Sequence, residues 1–212
     1  MKKLVFALAL ITANLAAYAQ PRAYDQVSIE ADYGFNGSTH NNQTITGINH
    51  FGIGFRYMID DTWGVKFDYA NDRFRLDGNG DEGTDYNRFS LQGVYNLGRT
   101  LDIPWNTMDR LNLLLHAGLG YAAITSKMSA GIDNVGHAVA GLTPQIYISE
   151  AIAIHIDASY ILNFSQHFNF DGSYPPGRIL SGDWSGFSAG MFTASAGLTF
   201  YIGKSKSKAD WR

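Results

Sequence analysis

From Val27 onward, apolar and polar residues alternate along the chain in run after run, each lasting roughly 9–12 residues, and the pattern recurs about eight times. Such period-two alternation predicts strands with one apolar and one polar face. Val27–Phe35 places Val27, Ile29, Ala31, Tyr33 and Phe35 on one face and Ser28, Glu30, Asp32 and Gly34 on the other. Thr46–Ile59 opposes Phe51, Ile53, Phe55 and Tyr57 to His50, Gly52, Gly54 and Arg56. After a turn at Asp60–Thr62, Trp63, Val65, Phe67 and Tyr69 alternate with Gly64, Lys66 and Asp68. Further strands are predicted over Tyr86–Leu97, Leu111–Ile124, Ala138–Ile148, Ile152–Tyr160 and Gly186–Ile202. In the fourth and fifth of these strands, Arg88 and His116 fall on the polar face; in the seventh, His155 and Asp157 do.

Two closed solutions satisfy such strands, a β-sandwich and a barrel. The polar phase carries full charges at mid-strand, namely Glu30, Asp32, Arg56, Lys66, Asp68 and Asp157. The inner face of a sandwich cannot hold these, although its wet face can. The apolar phase is rich in Tyr, Phe and Trp toward its ends, as the aromatic girdles of a membrane barrel require. The prediction is therefore an all-β, eight-stranded, antiparallel up-and-down transmembrane barrel. Short connections at Asp60–Thr62 and Ser149-Glu150 belong on the periplasmic side, whereas the long segments Asn36–Ile45, Arg75–Asp85, Thr125–Gly136 and Asn163–Ser185 belong outside. Gly98–Arg110 is an exception, a long periplasmic connection in which Trp105 is expected to rest at the membrane interface.

Residues 1–19 read as a cleavable signal peptide: Lys2 and Lys3, an apolar Leu4–Leu10, and Ala17-Tyr18-Ala19 before the cleavage point. Residues 20–203 form the barrel, and Lys204–Arg212 a basic periplasmic tail or linker, in which the Lys204–Lys208 stretch of alternating Lys and Ser is expected to stay solvated. The formal charge of −3 becomes −5 once the two leader lysines are removed, a mild acidity that argues against nucleic-acid binding. Mean hydropathy is −0.13, far below that of a helical membrane protein but natural for a barrel with a polar interior. The chain contains no cysteine, which excludes disulfides, thiol catalysis and a cysteine-linked lipid anchor. No metal and no cofactor is implied.

Eight strands enclose an interior just wide enough to be filled by side chains. Glu30, Asp32, Arg56, Lys66, Asp68, Arg88, His116, His155 and Asp157 are expected to form an ion-pair network there. Interior glycines such as Gly52, Gly54, Gly64, Gly118, Gly120 and Gly197 would make room for long Arg and Lys side chains. A plug of paired charges is one functional reading; a narrow ion path, and hence a small passive pore, is the other.

The closing segment Gly186–Lys204, GFSAGMFTASAGLTFYIGK, with Ala209-Asp210-Trp211 after it, resembles the end of the barrel domain of OmpA-like outer-membrane proteins. The general plan of leader, eight strands and long outer loops extends the resemblance over nearly the whole chain. It implies an outer-membrane barrel of a Gram-negative bacterium. In that family the barrel usually precedes a peptidoglycan-binding domain, and no such domain is expected within these residues. Implied partners are outer-membrane lipid and lipopolysaccharide, and other envelope proteins reached through the loops or the tail.

Other signals are weaker. Asp77-Gly78-Asn79-Gly80-Asp81 copies the first ligand positions of a calcium loop, but Glu82 and Arg88 break the pattern, leaving a solvated turn. His40, His50, His137 and His167 fall in or near outer loops. Ser165, His167 and Asp171 share one loop and raise a lipid-modifying enzyme as a third reading, though a triad is defined by geometry. In the same loop region Phe164, Phe168, Phe170, Tyr174 and Trp184 offer a possible interaction surface, or pack the loop onto the barrel rim.

Overall fold

A computed structural model describes residues 26–39, 46–76, 79–128, 130–175, 185–202 and 210. The signal peptide lies outside the described residues. Eight strands are present: β1 (Gln26–Ser38), β2 (Thr46–Met58), β3 (Trp63–Leu76), β4 (Asn79–Asn96), β5 (Leu111–Ser126), β6 (Ile132–Ser149), β7 (Ile152–Gln166) and β8 (Phe187–Ile202). Each pairs antiparallel with the next, and β1 closes on β8 from Val27↔Ile202 to Ser38↔Met191. Closure leaves no free edge, so the backbone polar groups of the wall are bonded to neighbouring strands.

The outward phase is apolar and exposed. On β2 and β3 it consists of Phe51, Ile53, Phe55, Tyr57, Trp63, Val65 and Phe67, all of them large and solvent-accessible. A surface of this kind is stable only against hydrocarbon. Its periplasmic border carries the Trp63–Tyr95 ring pair, with centroids 4.6 Å apart. At the outer border the tyrosine hydroxyls reach polar partners: Tyr69 donates to Asn87 at 2.9 Å and Tyr121 to Asn134 at 2.6 Å. These are the girdles that the alternation predicts.

The strands run further outward than the alternation of apolar residues indicates. β3 continues to Leu76 and β4 starts at Asn79, so most of the expected Arg75–Asp85 loop is a hairpin, and Asn79–Asp81 of the calcium-like run is strand. Likewise β6 begins at Ile132, within the expected Thr125–Gly136 loop, and β7 reaches Gln166. Beyond the lipid, no apolar face is needed, yet the hydrogen-bond ladder continues. Arg75 and Asp85, paired across the β3–β4 hairpin, illustrate this polar extension. At the opposite end, the long Gly98–Arg110 connection contains two short helices, Leu97–Thr100 and Ile103–Asn106, with Trp105 85% exposed.

Candidate functional site

The inward phase fills the barrel in three zones. In the central zone, Glu30 from β1 lies between two cations, 3.1 Å from Arg56 Nε on β2 and 2.9 Å from Lys66 Nζ on β3. These side chains are buried, and a buried charge persists when it is paired and hydrogen-bonded. Gly54 faces this cluster. A Cβ there would stand 2.9 Å from Lys66 Cε, so the glycine leaves the lysine its path. Gly52 does the same for a different kind of residue: a Cβ would fall 2.7 Å from both carboxylate oxygens of Asp32. The interior glycines therefore accommodate carboxylate and imidazole groups as well as cations, since Gly120 abuts the His137 ring.

Asp32 and Asp68 make no direct ion pair with Arg56 or Lys66, whose short contacts go to Glu30 and Asp210. Asp32 is held by imidazoles, with His50 Nε2 at 3.1 Å and His155 Nε2 at 3.8 Å. Asp68 accepts from Gln92 Nε2 at 3.0 Å. Gln92 in turn meets His116 Nδ1 at 2.6 Å, and the other ring nitrogen of His116 lies 2.9 Å from Asp157. His155 Nδ1 contacts Thr199 at 2.9 Å. Arg88 is paired with Asp72, whose other oxygen lies 2.7 Å from His50 Nδ1.

Asp72 and His50 are thus part of the lumen; the alternation already places His50 on the inward face of its strand, near the loop end, but expects no further carboxylate there. A signal for Asp72 exists in the sequence: it continues the inward phase Lys66, Asp68, Ala70 past the expected end of the strand. His137 is also buried in the wall of β6, 3.1 Å from Ser90, and not in a loop. His40 lies outside the described residues.

The outer zone is apolar. Phe74, Tyr86, Ile124, Val135, Ile161 and Met191 line it, and Phe170 from the β7–β8 connection inserts among them. Phe170 is 3% exposed and lies 4.6 Å from the Phe74 ring; Phe168 is 4% exposed and packs on Tyr174 at 5.0 Å. These phenylalanines plug the mouth and do not present an interaction surface, because burying an aromatic ring in the barrel removes far more apolar area from water than leaving it on the rim. Phe164 points outward from β7 and is exposed. Trp184 lies outside the described residues.

The plug is tied down by polar contacts. Thr84 donates to the Phe170 carbonyl at 2.9 Å and Ser126 to that of Gly172 at 2.7 Å. Asp133 on β6 accepts from the backbone N–H groups of His167 and Phe168 and pairs with His167 Nδ1 at 2.8 Å. Asp171 is engaged instead with Ser173 at 2.7 Å. The Ser165, His167 and Asp171 of the loop therefore do not form a triad, since the histidine is oriented by Asp133.

The periplasmic zone contains a residue that the strand pattern does not reveal. Asp210, beyond the last strand, is 1% exposed and occupies the mouth. Its Oδ2 accepts from Arg56 Nη2 at 2.9 Å and from Tyr201 Oη at 2.7 Å. Its backbone carbonyl accepts from Asn96 at 3.1 Å and Asn112 at 2.8 Å. The basic stretch 204–208, expected to be solvated, lies outside the described residues; Asp210 beyond it is buried because the barrel offers it a cation, Arg56, whose other carboxylate partner, Glu30, is shared with Lys66.

No protein-family model matches the chain, and no curated protein matches it in sequence. Solved structures do match in fold. Neisserial surface protein A superposes with a TM-score of 0.58 at 12% identity, over 83% of this chain and 97% of that one. A major outer membrane protein from Thermus thermophilus gives 0.54 at 12% identity, over 84% and 99%. Together with the exposed apolar belt and the closed eight-strand topology, these matches establish that the chain has the fold of an outer-membrane β-barrel.

Proposed function

We propose that this protein acts as a structural and interaction barrel of the outer membrane, contributing to envelope integrity or to a membrane assembly and not to bulk diffusion. One observation supports the reading above all: side chains fill the interior from Phe170 at the outer mouth, through the Glu30 cluster, to Asp210 at the inner mouth. An eight-stranded barrel has room for such a filling and little else. With the lumen occupied, contacts with lipid, lipopolysaccharide and other envelope proteins fall to the outer face, the loops and the periplasmic rim. The tethering of Phe168 and Phe170 leaves the exposed parts of the loops as the outer contact surface.

The test is conductance in planar bilayers. The folded chain is expected to give no defined channel steps at moderate voltage. Reproducible unitary steps would instead favour the small passive pore. Turnover of phospholipid or lipid A by the purified protein would favour the enzyme reading, against which the pairing of His167 with Asp133 and of Asp171 with Ser173 counts.

A further inference from the structure

The inner mouth is built as a receptor. Arg56, Asn96, Asn112 and Tyr201 come from β2, β4, β5 and β8, four separate parts of the wall, and all are buried. They converge on one residue that belongs to no strand. Two of them grip its carboxylate and two its main-chain carbonyl. A site needing only charge neutrality has no use for the second pair. Reading a carboxylate and an adjacent peptide carbonyl together is how an acidic residue within a peptide is recognised.

Asp210 does not exhaust the bonding capacity of this cradle. Among the described residues, Arg56 Nη1, Asn112 Oδ1 and the second carboxylate oxygen of Asp210 are buried without a hydrogen-bond partner, and so are both amide atoms of Gln145, which faces Asn112 across β5 and β6. Buried polar groups left unpaired are costly. A peptide that brings further donors and acceptors would bond more of them than Asp210 does.

We propose that the periplasmic mouth is a binding site for an acidic peptide segment, occupied in this structure by the chain's own Asp210 and open to exchange with an acidic segment of another envelope protein. The inference rests on the interaction reading above and names its partner at this end of the barrel. Arg56 supplies the fixed charge, Tyr201 the second carboxylate donor, and the two asparagines select a peptide over a free anion. Exchange is reversible and involves no bond making.

The test uses the full chain refolded in zwitterionic detergent, with Asp210→Ala to vacate the carboxylate half of the cradle, Arg56 and Tyr201, and so weaken the tail's hold on the rest. The probe is a fluorescently labelled peptide, Ser-Lys-Ala-Asp-Trp-Arg, copying residues 207–212, followed by anisotropy. The Asp210→Ala barrel is expected to bind the peptide at least about tenfold tighter than the wild-type barrel, where Asp210 competes. A probe with Asn in place of Asp is expected to bind at least about tenfold more weakly, since it loses the charge-assisted bonds to Arg56 and Tyr201. That second comparison changes only the peptide, so it is independent of barrel folding. Asp210→Ser provides a second emptied barrel should Asp210→Ala fail to refold. Equal affinity for the Asp and Asn probes overturns the proposal, as does the absence of binding to a folded emptied barrel. A silent bilayer recording with no peptide binding would sink this site and leave the filled-lumen reading intact; channel steps with normal peptide binding would do the reverse.

Discussion

Arg56 Nη2 and Asp210 Oδ2 lie 2.9 Å apart although 154 residues separate them in sequence. Arg56 therefore links the body of the barrel to a residue beyond it. Its Nε faces Glu30 at 3.1 Å, and its Nη2 faces the inner mouth. One guanidinium serves both because its donors form a rigid planar fork, which a lysine ammonium cannot reproduce.

Replacing Arg56 by Gln should therefore leave two carboxylates short of a partner, with Lys66 the remaining cation beside Glu30. Breaking a buried pair by removing one member typically costs about 3–5 kcal/mol. The expected result is a lower urea midpoint for unfolding of the vesicle-inserted barrel, followed by tryptophan fluorescence. Replacing Glu30 as well, by Gln, should recover part of the loss. If the double variant is no more stable than the sum of the single effects allows, the Glu30–Arg56 contact contributes nothing of its own.

Phe170→Ala should empty the outer zone. Truncating a buried phenylalanine typically costs about 3–5 kcal/mol, less where loop and wall can collapse together. The urea midpoint of the variant checks the magnitude. Phe164→Ala, at an outward and exposed position on β7, is the control and should change stability much less.

Asp133→Ala should free the β7–β8 connection without emptying the barrel. The carboxylate holds the backbone of His167 and Phe168 as well as the His167 ring. Proteolysis of intact membranes is expected to cut that connection faster in the variant, while the band from the rest of the barrel persists. Identical cleavage would show that Thr84 and Ser126 hold the segment by themselves.

Gly54→Val should clash with Lys66, because a Cβ at that position already stands 2.9 Å from its Cε. Overpacking typically costs about 1–3 kcal/mol. The variant should refold more slowly into detergent, with more of it remaining in the unfolded band. A Gly54→Val, Lys66→Met double variant relieves the contact but leaves Glu30 with one cation, so it should not return to wild-type stability.

The closed wall itself predicts resistance to detergent. Unboiled in SDS, the folded protein should migrate as a band distinct from the boiled form, because a barrel has no free edge at which to open. A single band in both lanes would contradict closure between β1 and β8.

The strand count, the lipid-facing phase and the charged interior are legible in the sequence because each depends on period-two alternation, a local property. Trp63, Val65, Phe67 and Tyr69 against Gly64, Lys66 and Asp68 settle which way β3 faces with no reference to any other strand. The alternation loses its force where lipid ends, so the outer extensions of β3, β4 and β6 emerge only from the backbone ladder. Which charge meets which is a different matter. Neighbouring strands are offset in register, and that offset decides that Asp32 meets His50 and not Arg56. Asp72 stands in phase and is readable by continuing the count; Phe170 and Asp210 are not, since neither lies on a strand. Both are placed by what the closed barrel leaves unfilled: an apolar cavity at one mouth and a buried guanidinium at the other. Local periodicity determines the wall of this protein, and only closure of that wall creates the spaces that decide what fills it.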